Sequence, residues 1–174
     1  MKKFFAIFFL CIVLGFLVFL GVSTNKDYHN EYLRIHIRAN SNLQADQDIK
    51  YQIKDNIVDF LTPIISCCKN KNEMQENINK NLSKIVGIAN NILAQNNFDY
   101  KSSARLTNEF FPTRTYNNVT LESGNYDCLI VSLGSGTGDN WWCVVYPPLC
   151  FLNSNTSYKY KSRILELIQS FFGG

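Results

Sequence analysis

Nucleophilic or metal-ligating chemistry in this chain would have to come from six cysteines and two histidines. His29 and His36 are too few for a zinc site built of several imidazoles, and mixed ligation is disfavoured by the cysteine spacing. Cys67 and Cys68 are adjacent, and Cys128, Cys143 and Cys150 stand 15 and 7 positions apart, without the C-x-x-C knuckles that clamp zinc. No metal and no cofactor are therefore expected. The sharpest catalytic arrangement left is a thiol nucleophile, Cys143 or Cys150, paired with His36, because a neighbouring imidazole lowers a thiol pKa and makes thiolate available near neutral pH. The plainer reading puts His36 on the polar side of an alternating stretch, exposed or hydrogen-bonded. In an exported domain Cys143 and Cys150 could instead close a small disulfide loop, with buried free thiols as the other reading. Cys67 and Cys68 fall at a predicted helix end and read as packing.

The remaining chemical motifs are weak. Gly134 to Gly138 reads G-S-G-T-G, and glycine loops cradle phosphates when they open onto a helix N-terminus. Here a strand pattern follows, and Asp139 stands where a dinucleotide fingerprint needs its third glycine, so a hairpin turn is the better fit. Carboxylates are scattered, which leaves glycosidase or aspartic-protease chemistry without an anchor. Once Lys2 and Lys3 are set aside, 15 of the 17 basic side chains face 14 acidic ones, which is no electrostatic footprint for nucleic acid. The most distinctive stretch is N-W-W-C-V-V-Y-P-P-L-C-F, from Asn140 to Phe151. On a strand, Trp141, Cys143 and Val145 face one way while Trp142, Val144 and Tyr146 face the other. Such a segment is either a central strand buried on both sides or one that leaves a tryptophan exposed as an interface anchor.

The elements that must position these residues can be read from periodicity. Lys2 and Lys3 precede an uncharged apolar run from Phe4 to Val22, so residues 1–23 form an export signal, either cleaved or kept as a membrane anchor. The positive flank stays inside, which puts residues 24–174 outside the cytoplasm as a single exported domain. From Glu31, Leu33, Ile35 and Ile37 alternate with Arg34, His36 and Arg38 as a half-buried strand. Ser41 and Gln44 have capping-box spacing, and Ile49, Ile53, Ile57, Phe60, Leu61 and Ile64 make a helical stripe that ends near Pro63. A second long helix carries Met74, Ile78, Leu82, Ile85, Ala89 and Leu93 and packs back as a hairpin. Strands follow over Tyr100 to Phe111, Cys128 to Leu133 and Trp141 to Tyr146, the last two joined as a hairpin through the glycine loop. A final helix presents Tyr160, Ile164, Leu167, Ile168 and Phe171. The predicted fold is α+β, a small sheet packed against a long helical hairpin in the order βααβββα.

Several of these segments resemble the stage II sporulation protein R family. The matching residues are H-x-x-A-N-S at His36, Ala39, Asn40 and Ser41, and D-Q-x-x-K at Asp46, Gln47 and Lys50. They continue with F-P-T-R-T-Y from Phe111 to Tyr116, the glycines Gly134, Gly136 and Gly138, and N-W-W-C-V with P-P-L-C-F between Asn140 and Phe151. Arg38, Asn42, Glu122 and Ser135 depart from the family pattern. The resemblance implies a non-enzymatic signalling protein made in the forespore and exported into the space between forespore and mother cell. There it would activate a membrane-embedded aspartic protease that processes a mother-cell sigma factor precursor. It makes the motif positions the candidates for partner contact: His36, Asn40, Ser41, Asp46, Gln47, Arg114, Tyr116, Asn140, Trp141, Trp142, Pro147 and Pro148. The alternative from another class is a secreted thiol enzyme using Cys143 or Cys150 with His36.

Overall fold

A computed structural model describes residues 28–116, 119–151 and 158–173. The export segment read over residues 1–23 lies outside them. A 3-10 turn over Tyr28–Glu31 leads into β1 (Leu33–Arg38). Three helices follow, α1 (Gln44–Ser66), α2 (Lys71–Lys80) and α3 (Leu82–Gln95). Then come β2 (Ser102–Phe111), β3 (Arg114–Tyr116), β4 (Val119–Leu121), β5 (Gly124–Leu133) and β6 (Asn140–Tyr146), and the chain ends on α4 (Tyr158–Phe172). The fold is α+β, with four α-helices and a small sheet among the described residues.

The sheet has strand order β2-β5-β1-β6, while β3 and β4 pair with each other apart from it. The expected hairpin between β5 and β6 does not form. β1 lies between them, parallel to β5 and antiparallel to β6. The glycine loop thus bridges two strand spacings, roughly 10 Å, and crosses the end of β1 instead of turning tightly. β6 is accordingly an edge strand, not a central one.

Alternation along β1 divides the interior. Leu33, Ile35 and Ile37 are fully buried against the helices, together with Ile53, Ile57, Leu61, Ile85, Ala89 and Ile164. Each of these leucine and isoleucine side chains contributes about 2 kcal/mol on leaving water. The other face of β1 is also covered, which corrects the half-buried expectation. Arg34 and His36 are buried beneath a second cluster that contains Phe111, Leu121, Tyr126, Ile130 and Val144.

Local signals explain the remaining departures. α1 starts at Gln44 with Leu43 as its N-cap residue and no side-chain cap, so Ser41 and Gln44 form no capping box. The side-chain cap appears at α2, where Asn70 accepts from the Glu73 amide and Glu73 accepts from the Lys69 amide. α1 continues three residues past Pro63 because Ile65, fully buried, anchors its last turn. The second long helix is two helices, broken at Asn81, whose φ of −111° and ψ of 6° are not helical. A β-bulge between Leu33 and Arg34 in the β1–β6 register sets Tyr146 opposite Leu33 and Val144 opposite Arg34. Tyr146 therefore joins the helix-side core instead of the face that carries Trp142.

Candidate functional site

Where the chain leaves β1, short polar side chains tie three segments together. Asn40 Nδ2 and Ser41 Oγ donate to Asp46 Oδ2 at 3.0 and 2.6 Å, and the Tyr100 hydroxyl donates to Asp46 Oδ1 at 2.5 Å. Burial alone would raise the Asp46 pKa, but these donors, Ser41 foremost, hold the carboxyl below its ordinary range. Asn40 also accepts from the Ser135 amide through Oδ1, and its backbone carbonyl takes the hydroxyls of Ser135 and Thr137. The Gly138 amide donates to the Ala39 carbonyl at 3.0 Å. Asn42, one of the departures from the family pattern, accepts from the Asp139 amide. Asn40, Ser41 and Asp46 are thus the joint that fastens the glycine loop over the end of β1, with few of their polar atoms left for a partner.

That joint fixes one side of a cleft of about 520 Å³. Helix α1 lends Gln47, Lys50 and Tyr51, β3 lends Arg114, and the start of β6 lends Asn140 and Trp142 beside Asp139. The lysine is almost fully buried, and its Nζ donates to Gln47 Oε1 at 2.6 Å and to the Asp139 carbonyl at 3.0 Å. Two of its three N–H donors are spent on neutral acceptors. Burial lowers the Lys50 pKa, and the nearby Asp139 carboxylate pulls it back. Arg114 is exposed, its guanidinium 5.9 Å from the Trp142 ring centroid. The Asn140 Oδ1 is buried and accepts no hydrogen bond from the described residues.

Behind Trp142 the outer face of the sheet holds Arg34 in an aromatic cage. Its guanidinium lies 4.3 Å from the Phe111 centroid and 4.8 Å from that of Tyr126, and Nη2 donates to the Tyr116 hydroxyl at 2.7 Å. Arg34 Nε and Nη1 and both ring nitrogens of His36 have no hydrogen-bond partner among the described residues. His36 is therefore neither exposed nor hydrogen-bonded, which corrects the plainer sequence expectation. Burial, then Arg38, push its pKa down to about 4, against a smaller pull from Asn140, whose side chain comes near without closing a hydrogen bond.

The structure separates the groups of the thiol arrangement. In the β1–β6 register His36 is opposite Trp142 and Ile35 is opposite Cys143, so His36 and Cys143 project from opposite faces of the sheet. Cys143 and Cys150 are bridged as a disulfide, with Cα atoms 6.3 Å apart, and both pack on the helix side. Of the thiols that remain free among the described residues, Cys68 and Cys128 are buried, and burial pushes Cys128 up to about 12.

Of the twelve candidate contact positions, Gln47, Arg114, Asn140 and Trp142 line the cleft. Asn40, Ser41 and Asp46 support it, and His36 and Tyr116 lie in the buried face behind it. Trp141 sits on the helix side, its ring 5.7 Å from Lys54 Nζ, and Pro147 and Pro148 are buried. Sequence reasoning passed over Tyr51, Asp139 and Arg34. Tyr51 follows Lys50 in the D-Q-x-x-K stretch and Asp139 precedes the tryptophan block, so proximity to the motifs was their only signal. Arg34 carried none, because alternation placed it in solvent.

Residues 29–156 match the sequence profile of the family described as Stage II sporulation protein R. The Stage II sporulation protein R of Bacillus subtilis (strain 168) is 31% identical over 134 residues, which covers 77% of this chain and 60% of that protein. The chain therefore spans less than two thirds of the length of this curated relative. No solved structure matches.

Proposed function

The chain belongs to the stage II sporulation protein R family, and from that premise we propose that it is an intercompartmental signal exported from the forespore into the space between forespore and mother cell. Its partner is a membrane-embedded aspartic protease, which on activation cleaves the inactive precursor of a mother-cell sigma factor. Residues 1–23 direct export and, where they are not removed, hold the chain at the membrane. The protein acts by binding, not by catalysis.

One observation carries this reading. Gln47, Arg114, Asn140 and Trp142, drawn from segments far apart in sequence, converge on a single cleft at the edge of the sheet. Activation by such a surface requires tighter binding to the active state of the protease than to its resting state, since equal affinity for both shifts nothing. The thiol-enzyme alternative finds less support, with His36 and Cys143 on opposite faces of β1 and β6.

Reconstitution tests the proposal. The chain, the protease and the sigma precursor are produced together in a non-sporulating host, and precursor cleavage is followed with and without the chain. Cleavage that depends on the exported chain, and that falls at least tenfold with Trp142→Ala in a protein that still folds, is the expected result. Cleavage independent of the chain, with all partners folded and inserted, would overturn it.

A further inference from the structure

The cleft has a chemistry of its own. Among the charged groups that line it, Lys50 is balanced by Asp139, whose carboxylate opposes the lowering of its pKa by burial and whose carbonyl accepts one of its hydrogen bonds. Among the described residues no carboxylate pairs with Arg114, whose exposed guanidinium lies 5.9 Å from the Trp142 ring centroid. Behind the cleft Arg34 adds a second positive charge: it is fully buried, and among the described residues it has two nitrogens without partners and donates a hydrogen bond to the neutral Tyr116 hydroxyl. The other arginine of β1, Arg38, is neutralised by Glu109. The field at the cleft is therefore positive where the free donors are.

Two further features describe the shape of an occupant. Asn140 and Trp142 stand at the start of an edge strand whose seven residues are all uncharged, whereas the opposite edge, β2, carries Arg105 and Glu109. Sheet edges without charges or cover invite an added strand. Along α1, exposed Leu43 and Tyr51 flank Gln47 at intervals of four and continue the cleft as an apolar shoulder.

We propose that this cleft takes an extended acidic segment of the protein partner, with an aspartate or glutamate side chain on the Arg114 guanidinium and flanking apolar side chains on Trp142, Tyr51 and Leu43. The proposal rests on the signalling reading for the identity of the partner but not for the chemistry of the cleft. A guanidinium and a carboxylate meet through two parallel hydrogen bonds, which a lysine at the same place cannot reproduce.

The test uses the full chain in zwitterionic detergent and three fluorescent hexapeptides, acetylated and amidated, made of glutamate, glutamine or lysine, with binding read by anisotropy. Hexaglutamate is expected to bind saturably, and hexaglutamine and hexalysine at least tenfold more weakly. Arg114→Glu is expected to weaken hexaglutamate at least tenfold and Arg114→Lys several-fold. Lys84→Glu, the same charge change at an exposed position on α3, should leave binding unchanged. Equal binding of hexaglutamate to wild type and Arg114→Glu, or equal loss in Lys84→Glu, would overturn the proposal. Because no protease is present, a chain that binds hexaglutamate as described but fails to trigger precursor cleavage would sink the signalling reading and leave the cleft chemistry standing. Cleavage that proceeds in the absence of acidic-peptide binding would do the reverse.

Discussion

The imidazole of His36 lies flat against the indole of Trp142, with ring centroids 3.7 Å apart and planes inclined by 22°. Strand register imposes the stack, since the two residues are directly opposed on β1 and β6, and Phe111 closes it edge-on at 4.8 Å from the tryptophan. A protonated ring would be taken out of water and would face Arg38 and Arg34, with Asn140 giving only a smaller opposing pull.

Acid stability follows from that stack. The unfolded chain takes a proton on this side chain near pH 6.5 and the folded chain only near 4. Stability is thus fully present above pH 6.5 and falls as the pH drops toward 4, by about 3 kcal/mol for a shift of this size. Urea unfolding measured across that window should show the decline in wild type and lose most of it in His36→Phe, which keeps a flat ring against Trp142. Parallel curves for the two proteins would mean that His36 is not held neutral.

The crossing of the glycine loop over β1 makes a sharper prediction. A Cβ on Gly138 would fall 2.2 Å from the Ser41 carbonyl oxygen, a backbone atom that cannot swing aside, whereas one on Gly87 in α3 meets nothing within 4 Å. Gly138→Ala should therefore cost about 2 kcal/mol or more, and Gly87→Ala should stabilise by about 1 kcal/mol by removing a glycine from a helix interior. Thermal melts of both variants check the pair. A harmless Gly138→Ala would show that the loop is not seated on Ser41.

What sequence could reveal is bounded by range. The alternation of Leu33, Ile35 and Ile37, the stripe from Ile49 to Ile64 and the face of Ile164 and Leu167 are local patterns, and the first strand, the first helix and the last helix match them. β5 and β6 look like a hairpin because a glycine loop joins two apolar runs, and nothing in those runs records that β1, about a hundred residues earlier in the chain, inserts between them. The same insertion explains the error about Arg34 and His36. A polar alternation reads as a solvent face unless aromatics distant in sequence, here Phe111, Tyr126 and Trp142, are known to cover it. The motif residues Gln47, Arg114, Asn140 and Trp142 converge on one cleft, but sequence could not tell these from Asn40, Ser41 and Asp46, whose side chains are spent on each other and on the loop.

The disulfide separates structural from chemical roles of the thiols. Cys143 and Cys150 close a loop with a sequence separation of 7 on the helix side of β6. Losing a cross-link over so short a loop costs about 2 kcal/mol. A Cys143→Ala, Cys150→Ala double variant should melt lower by a matching amount yet trigger precursor cleavage at wild-type level at any temperature where it stays folded. Complete loss of signalling in a folded double variant would restore the thiol chemistry that the geometry disfavours.

Arg34 gives the least intuitive expectation. A fully buried cation with two unpartnered nitrogens has given up its hydration, and the cage returns one hydrogen bond from Tyr116 and the faces of Phe111 and Tyr126. Desolvating an ion costs several kcal/mol, whereas cation–π contacts of this kind contribute about 2 kcal/mol when dry. Arg34→Met keeps the stem and fills the cage, so its stability should equal or exceed wild type by up to about 2 kcal/mol. Arg34→Ala leaves a void and should cost about 3 kcal/mol. The methionine variant should also weaken hexaglutamate binding severalfold, since it removes a positive charge behind the cleft. Chemical denaturation and the anisotropy titration read the two effects separately. A methionine variant that is much less stable than wild type would mean that the aromatic cage more than offsets the lost hydration, and that Arg34 is held for the fold and not for the field it projects.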